Sequence, residues 1–220
     1  MNKGIAIAGA TGEVGKRLVE KLIAHNANTP IFALVRKISS ELPAQVIQHE
    51  VDFNNLSKLK LDHQIDMAFC CLGSTIKKAG SKQAFQKVDH HYPLLFADWA
   101  KQHGSESFAC ITAVGANHLS KNFYLKVKGD AEHDLIQKGF RHLWLIRPSL
   151  LLGPRDEFRL GEYIGAIAGR LISPFLIGPL IKYKPIQMME IANTMAKLVE
   201  HTEDSKEGCH VLQGKSLYSD

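Results

Sequence analysis

Tyr124 and Lys128 stand four residues apart in the stretch FYLKVKGDAE. On a helix that spacing puts both side chains on one face, while Lys126 points elsewhere. A phenol with an ordinary pKa near ~10 is a poor acid-base group at neutral pH, but an ammonium beside it favours the phenolate and lowers that value. Such a pair can exchange a proton with a substrate oxygen, with Tyr124 as the acid-base group and Lys128 as its partner. The same spacing also occurs on ordinary surface helices, so the surrounding elements decide its meaning.

Upstream, GATGEVG supplies Gly9, Ala10, Thr11, Gly12, Glu13, Val14 and Gly15. It follows the apolar run GIAIAGA and opens EVGKRLVEKLIAHN, in which Val14, Leu18, Leu22 and Ile23 recur at helical spacing. Strand, glycine turn and helix start in that order form a phosphate cradle. Gly9 lets the chain turn, Gly12 lets backbone approach a pyrophosphate, and Gly15 lets helix pack against sheet, with the unpaired amides of the helix start binding phosphate. A dinucleotide is the ligand this arrangement suits. Domains that use NAD(H) place a carboxylate after the second strand for the ribose hydroxyls. Here the run IFALVRK ends instead in Arg36 and Lys37. Two cations suit a 2′-phosphate, which favours NADP(H) over NAD(H); the alternative is a pair of solvated strand-end charges. Asp52, after QVIQHEVDF, is placed to accept from the adenine amine. Lys128 is also expected to donate to the nicotinamide ribose. Thr112 in CITAVGAN is expected to polarise a substrate carbonyl, since Ala113 has no group to offer. The alternative for Thr112 is a β-branched strand residue with its hydroxyl turned to backbone.

The elements that must hold these residues follow from periodicity. IDMAFCCLG, SFACITAVG and HLWLIRPSLLLG read as the fourth, fifth and sixth strands. Helices are expected over Gln83 to His103, bent near Pro93, over Tyr124 to Lys138, and over about Met188 to His201, with a short CHVLQ strand closing the chain. Strands alternating with helices imply a parallel sheet covered on both faces, a doubly wound α/β fold. Residues 1–220 are expected to form a single domain. Within it, residues 154–187 carry Pro154, Pro174, Pro179 and Pro185 with no clean strand, and read as a small C-terminal lobe or lid on the substrate side. The apolar run Leu171 to Ile181 reads equally as lid, core or the seam of a homodimer.

Composition excludes several classes. Hydrophobic residues at 45% and charged residues at 22% lie far from the disordered corner. The net charge of +5 is spread without a run of cations, which argues for a mixed-sign surface rather than a nucleic-acid footprint. Four cysteines do not make a disulfide framework, and a reducing compartment is expected. The eleven histidines include no helical His-x-x-x-His, and no Cys-x-x-Cys occurs, so no metal site is expected. The N-terminus lacks a signal-peptide pattern. The segment Gly161 to Ile181 is interrupted by Arg170, Pro174 and Pro179, and it falls short of the ~18 to 20 apolar residues of a spanning helix. A cytoplasmic protein with a small-molecule substrate is the expectation.

Taken together, GATGEVG, CCLGSTIKKAG, KVDHHY, ITAVGAN, YLKVKGDAE and RPSLLLGPR resemble the atypical short-chain dehydrogenase/reductases, in particular the Tat-interactive-protein-like oxidoreductases and their bacterial relatives. The resemblance covers nearly the whole chain. It implies a Rossmann fold, NADPH binding, the Tyr124 and Lys128 pair, a hydroxyl at Thr112, and Leu72, Gly73 and Ser74 along the cofactor. It leaves two functions open: an oxidoreductase of a small carbonyl or alcohol, and a non-catalytic NADPH-binding regulator.

Overall fold

The computed structural model describes residues 3–25, 28–153, 178–201 and 205–218. The chain begins with β1 (Lys3–Ala8), α1 (Glu13–His25), β2 (Ile31–Val35) and β3 (Val46–Glu50). A 3-10 turn over Phe53–Lys58 leads to β4 (Gln64–Cys70) and two short helices, α2 (Ile76–Ala79) and α3 (Lys82–Gln86). A π-helical turn over Lys87–His91 joins α3 to α4 (Tyr92–Gln102); β5 (Ser107–Ile111), α5 (Phe123–Gln137) and β6 (His142–Ile146) follow. Two-residue strands β7 (Leu151–Leu152) and β8 (Ile186–Gln187) are followed by α6 (Met188–His201), β9 (Gly208–Leu212) and a 3-10 turn over Gly214–Leu217.

Seven strands form one parallel sheet in the order β3-β2-β1-β4-β5-β6-β9, so the chain winds one way from β1 to β3 and the other way from β4 onward. All five residues of β2 and all five of β6 are buried. A sheet covered on both faces needs such continuous apolar runs, because neither side of the strand meets water. Alternation then sorts the core: Ile5 and Ile7 lie on the face packed against α1 and α6, while Ala6 and Ala8 lie with Phe108 on the face that meets Phe96 and Trp99 of α4.

Two sequence expectations change. The run from His142 to Gly153 is not one strand. Arg147 donates the last ladder bond, to the Leu212 carbonyl at 2.9 Å, and Pro148 has no amide hydrogen to continue it. Beyond it, β7 pairs with β8 in a separate two-stranded sheet. The helix expected from Gln83 carries its irregularity as the π turn just before Pro93, the first-turn proline of α4. Of the expected lobe, residues 154–177 lie outside the described residues, and the rest forms a 3-10 turn over Gly178–Tyr183 with β8.

Candidate functional site

A cavity of about 750 Å³ opens at the C-terminal ends of the central strands, where the winding reverses between β1 and β4. Ligands of doubly wound sheets bind in such a crevice. Thr11, Gly12, Glu13 and Val14 line one part of it, at the start of α1. Gly9, Ala10 and Gly15 stand behind them as support. Gly9 has φ +86°, a left-handed turn out of β1, and a Cβ on Gly15 would lie 2.1 Å from the Gly9 carbonyl oxygen. The loop can therefore close onto the helix only with glycine at both positions. The first-turn amides of α1 have no partner within the helix, and this end of the cavity suits an anion.

The segment after β4 forms a second wall, where Leu72, Gly73 and Ser74 all line the cavity. The third wall is α5, capped by Asn122, whose side chain accepts from the Leu125 amide at 3.1 Å. Tyr124 and Lys128 both reach the cavity from this helix. The Tyr124 ring packs against Phe85 with centroids 5.5 Å apart. Lys128 is 5% exposed and meets Asp89 at 2.8 Å. Burial alone would lower the lysine, but the Asp89 carboxylate, and after it Tyr124, reverse this and hold the ammonium above its ordinary value. Burial likewise pushes the Asp89 carboxyl up, but the close contact keeps the proton on Lys128. The other Asp89 oxygen accepts from the Ser74 amide at 2.9 Å.

Thr112, just past β5, also lines the cavity, and it is 4% exposed. Its oxygen lies 2.6 Å from Glu132 and 3.2 Å from the Ile146 carbonyl. A hydroxyl has one proton, and the shorter contact to a carboxylate is the stronger, so Thr112 donates to Glu132. Glu132 in turn is gripped by Arg147 through two bonds of 2.9 and 2.6 Å. This network ties β5, α5 and the end of β6 together beneath the site.

The residues expected at an adenosine end lie beyond the cavity. Arg36 and Lys37 are exposed immediately after β2, and neither has an ion-pair partner among the described residues. Asp52 caps the following 3-10 turn: its carboxylate accepts from the Asn54 amide at 3.0 Å and from the Asn54 and Asn55 side chains at 2.7 Å each. These bonds, the Asn54 amide first, hold the carboxyl below its ordinary value.

Sequence reasoning missed Asp89, Glu132 and Arg147. Glu132 carried a readable signal, because Tyr124, Lys128 and Glu132 recur every four residues along one face of α5. Asp89 lies in the KVDHHY segment of the resemblance, but nothing in its local spacing marks its role. Its partners are remote in sequence, and only the fold brings them together.

The family model described as NAD(P)H-binding matches residues 9–173. The chain belongs to this family. Among its curated relatives, Protein HTATIP2 of Rattus norvegicus is 36% identical over 167 residues, covering 74% of this chain and 69% of the rat protein. "Protein FMP52, mitochondrial" of Candida albicans is 31% identical over 192 residues, covering 84% and 82%. Solved structures agree on the fold: a UDP-glucose 4-epimerase of Thermus thermophilus in complex with NAD superposes with a TM-score of 0.70 at 15% identity, covering 95% of this chain and 77% of that one. A UDP-galactose 4-epimerase gives 0.69 at 13% identity, covering 94% and 75%. The chain thus combines a Rossmann-type fold with membership of an NAD(P)H-binding family. No helix among its described residues is long and apolar enough to cross a membrane.

Proposed function

We propose that this protein is an NADP(H)-dependent oxidoreductase of a small carbonyl or alcohol. The observation that carries the reading is that Tyr124 and Lys128 line the same cavity as Thr11 to Val14. A proton-transfer group and a phosphate cradle then serve one ligand set. The residues present fit a dinucleotide: helix-start amides suit the pyrophosphate, and the volume of about 750 Å³ is that of a small-molecule site. A nicotinamide supplies a hydride to a carbonyl carbon or accepts one from an alcohol.

The chain's own residues do the rest. Gly9, Ala10, Thr11, Gly12, Glu13, Val14 and Gly15 shape the pyrophosphate loop. Leu72, Gly73 and Ser74 flank the cofactor, and Asp52 meets the adenine. Arg36 and Lys37, free of acidic partners among the described residues, meet the 2′-phosphate. Lys128 orients the nicotinamide ribose. Tyr124 gives its phenolic proton to the substrate oxygen as the carbonyl carbon is reduced, and takes one in the reverse direction. Thr112 polarises that oxygen by turning its hydroxyl from Glu132 toward the cavity. Turnover tests the reading directly: reduced cofactor incubated with a broad panel of aldehydes and ketones should lose its nicotinamide absorbance in proportion to alcohol formed.

A second reading is a regulator that binds NADPH without turnover. The commitment of the Thr112 proton to Glu132 favours it, since no hydroxyl proton at the end of β5 is left for a substrate. Under this reading no member of the panel reacts, while NADPH binding remains.

A further inference from the structure

An irregularity in a helix places Asp89. Between α3 and α4 the chain widens into the π turn Lys87–His91, and single π turns inside helices recur where a side chain is re-aimed into a site. His90 faces outward to Asp134 of α5 at 2.7 Å. Asp89 turns inward and is 1% exposed. One of its oxygens accepts from the Ser74 amide; the other meets the Lys128 ammonium at 2.8 Å in the cavity wall. Gly73 lies against the pair: a Cβ there would be in ordinary van der Waals contact, 3.7 Å from the carboxylate and 3.9 Å from the ammonium.

Three ionisable groups face that ammonium: Asp89 from the π turn, Tyr124 from its own helix and the Cys110 thiol from β5. Behind Cys110 lie the Cys70 thiol of β4 and Glu132, which Arg147 occupies. Lys78 lines the same cavity from α2. Among these, Asp89 alone brings a carboxylate into contact with Lys128.

We propose that Asp89 is a positioning residue that balances the charge of Lys128, so that Tyr124 stands at neutral pH as a phenol and serves the site as a proton donor to a carbonyl. A lone ammonium favours the phenolate beside it; an ammonium paired with a carboxylate does so far less, because the two fields oppose at the phenol. The step balances as a reduction. A reduced nicotinamide, when bound, would supply the hydride to the carbonyl carbon; the C=O π bond would open onto oxygen, and the Tyr124 O–H bond would break to protonate it. A carbonyl becomes an alcohol, the cofactor is oxidised, and the phenolate regains a proton from solvent. Asp89 touches none of the reacting atoms.

This rests on the reading of Tyr124 as the proton donor, but its test needs no turnover, so a failure of the oxidoreductase reading is seen separately in the carbonyl panel. The full chain is labelled with carbon-13 at tyrosine Cζ, whose resonance moves as the phenol ionises, and is titrated by NMR. Tyr124→Phe identifies the Tyr124 signal among the five tyrosines. In the unmutated protein the Tyr124 midpoint should lie above ~8. In Asp89→Asn, which keeps an acceptor for the Ser74 amide, it should fall by about one pH unit or more, and Asp89→Glu should restore it. A midpoint in Asp89→Asn equal to or above that of the unmutated protein overturns the proposal. So does an unmutated midpoint at or below ~7, a measurement that stands even where Asp89→Asn fails to fold.

Discussion

Thr112 shows how a single hydroxyl can satisfy a sequence pattern and still be engaged elsewhere. Its proton goes to Glu132 at 2.6 Å, and Glu132 is fixed by Arg147. Thr112→Val keeps the shape and removes that donor, so it should lower stability by about 1–3 kcal/mol in chemical denaturation, with Thr112→Ser restoring most of it. An unchanged stability in Thr112→Val would mean that the hydroxyl does not rest on Glu132. Tyr124 and Lys128 were legible because both sit on one helix, where local spacing determines the shared face. The glycine loop was legible for the same reason, its strand, turn and helix being contiguous. Asp89 was not: its contacts to Ser74 and Lys128 arise from three segments that meet only after folding.

Among the elements, α5 carries the proposed chemistry, and its seat is narrow. A Cβ on Gly129, the residue after Lys128, would come within 2.1 Å of the Asn117 carbonyl carbon and 2.2 Å of the His118 nitrogen. Both are backbone atoms that cannot swing aside. Gly129→Ala should push α5 off this loop, lower stability by about 1–3 kcal/mol and weaken cofactor binding by moving Lys128; thermal melts with and without NADPH would show both effects. Melting and affinity equal to the unmutated protein would show that the helix has slack. The central strands were readable because a sheet buried on both faces leaves long apolar runs. The break at Pro148 was overlooked because apolar residues continue beyond it and mask the missing ladder donor. The 3-10 turn after Asp52, the four-residue α2 and the π turn were not readable, since each is too short to show a period.

Across the whole molecule, the proposed dinucleotide would run along the C-terminal edge of the sheet, from Arg36 and Lys37 after β2 to Tyr124 on α5. Its two ends then depend on different residues. Loss of one charge-assisted contact to a 2′-phosphate costs about 1.5 to 3 kcal/mol, so Arg36→Ala should weaken NADPH binding by that amount and leave NADH binding unchanged. Fluorescence titration of both cofactors checks this; equal affinities for NADPH and NADH in the unmutated protein would return both cations to the role of solvated surface charges. At the other end, Tyr124→Phe removes only the phenolic oxygen and leaves the ring against Phe85. The most direct test of the account is the rate of reduced-cofactor oxidation at saturating NADPH, with an accepted carbonyl, in Tyr124→Phe against the unmutated protein. The rate should fall by roughly 10² to 10⁴ with NADPH affinity nearly unchanged. An unchanged rate would contradict it by removing Tyr124 from the proton transfer.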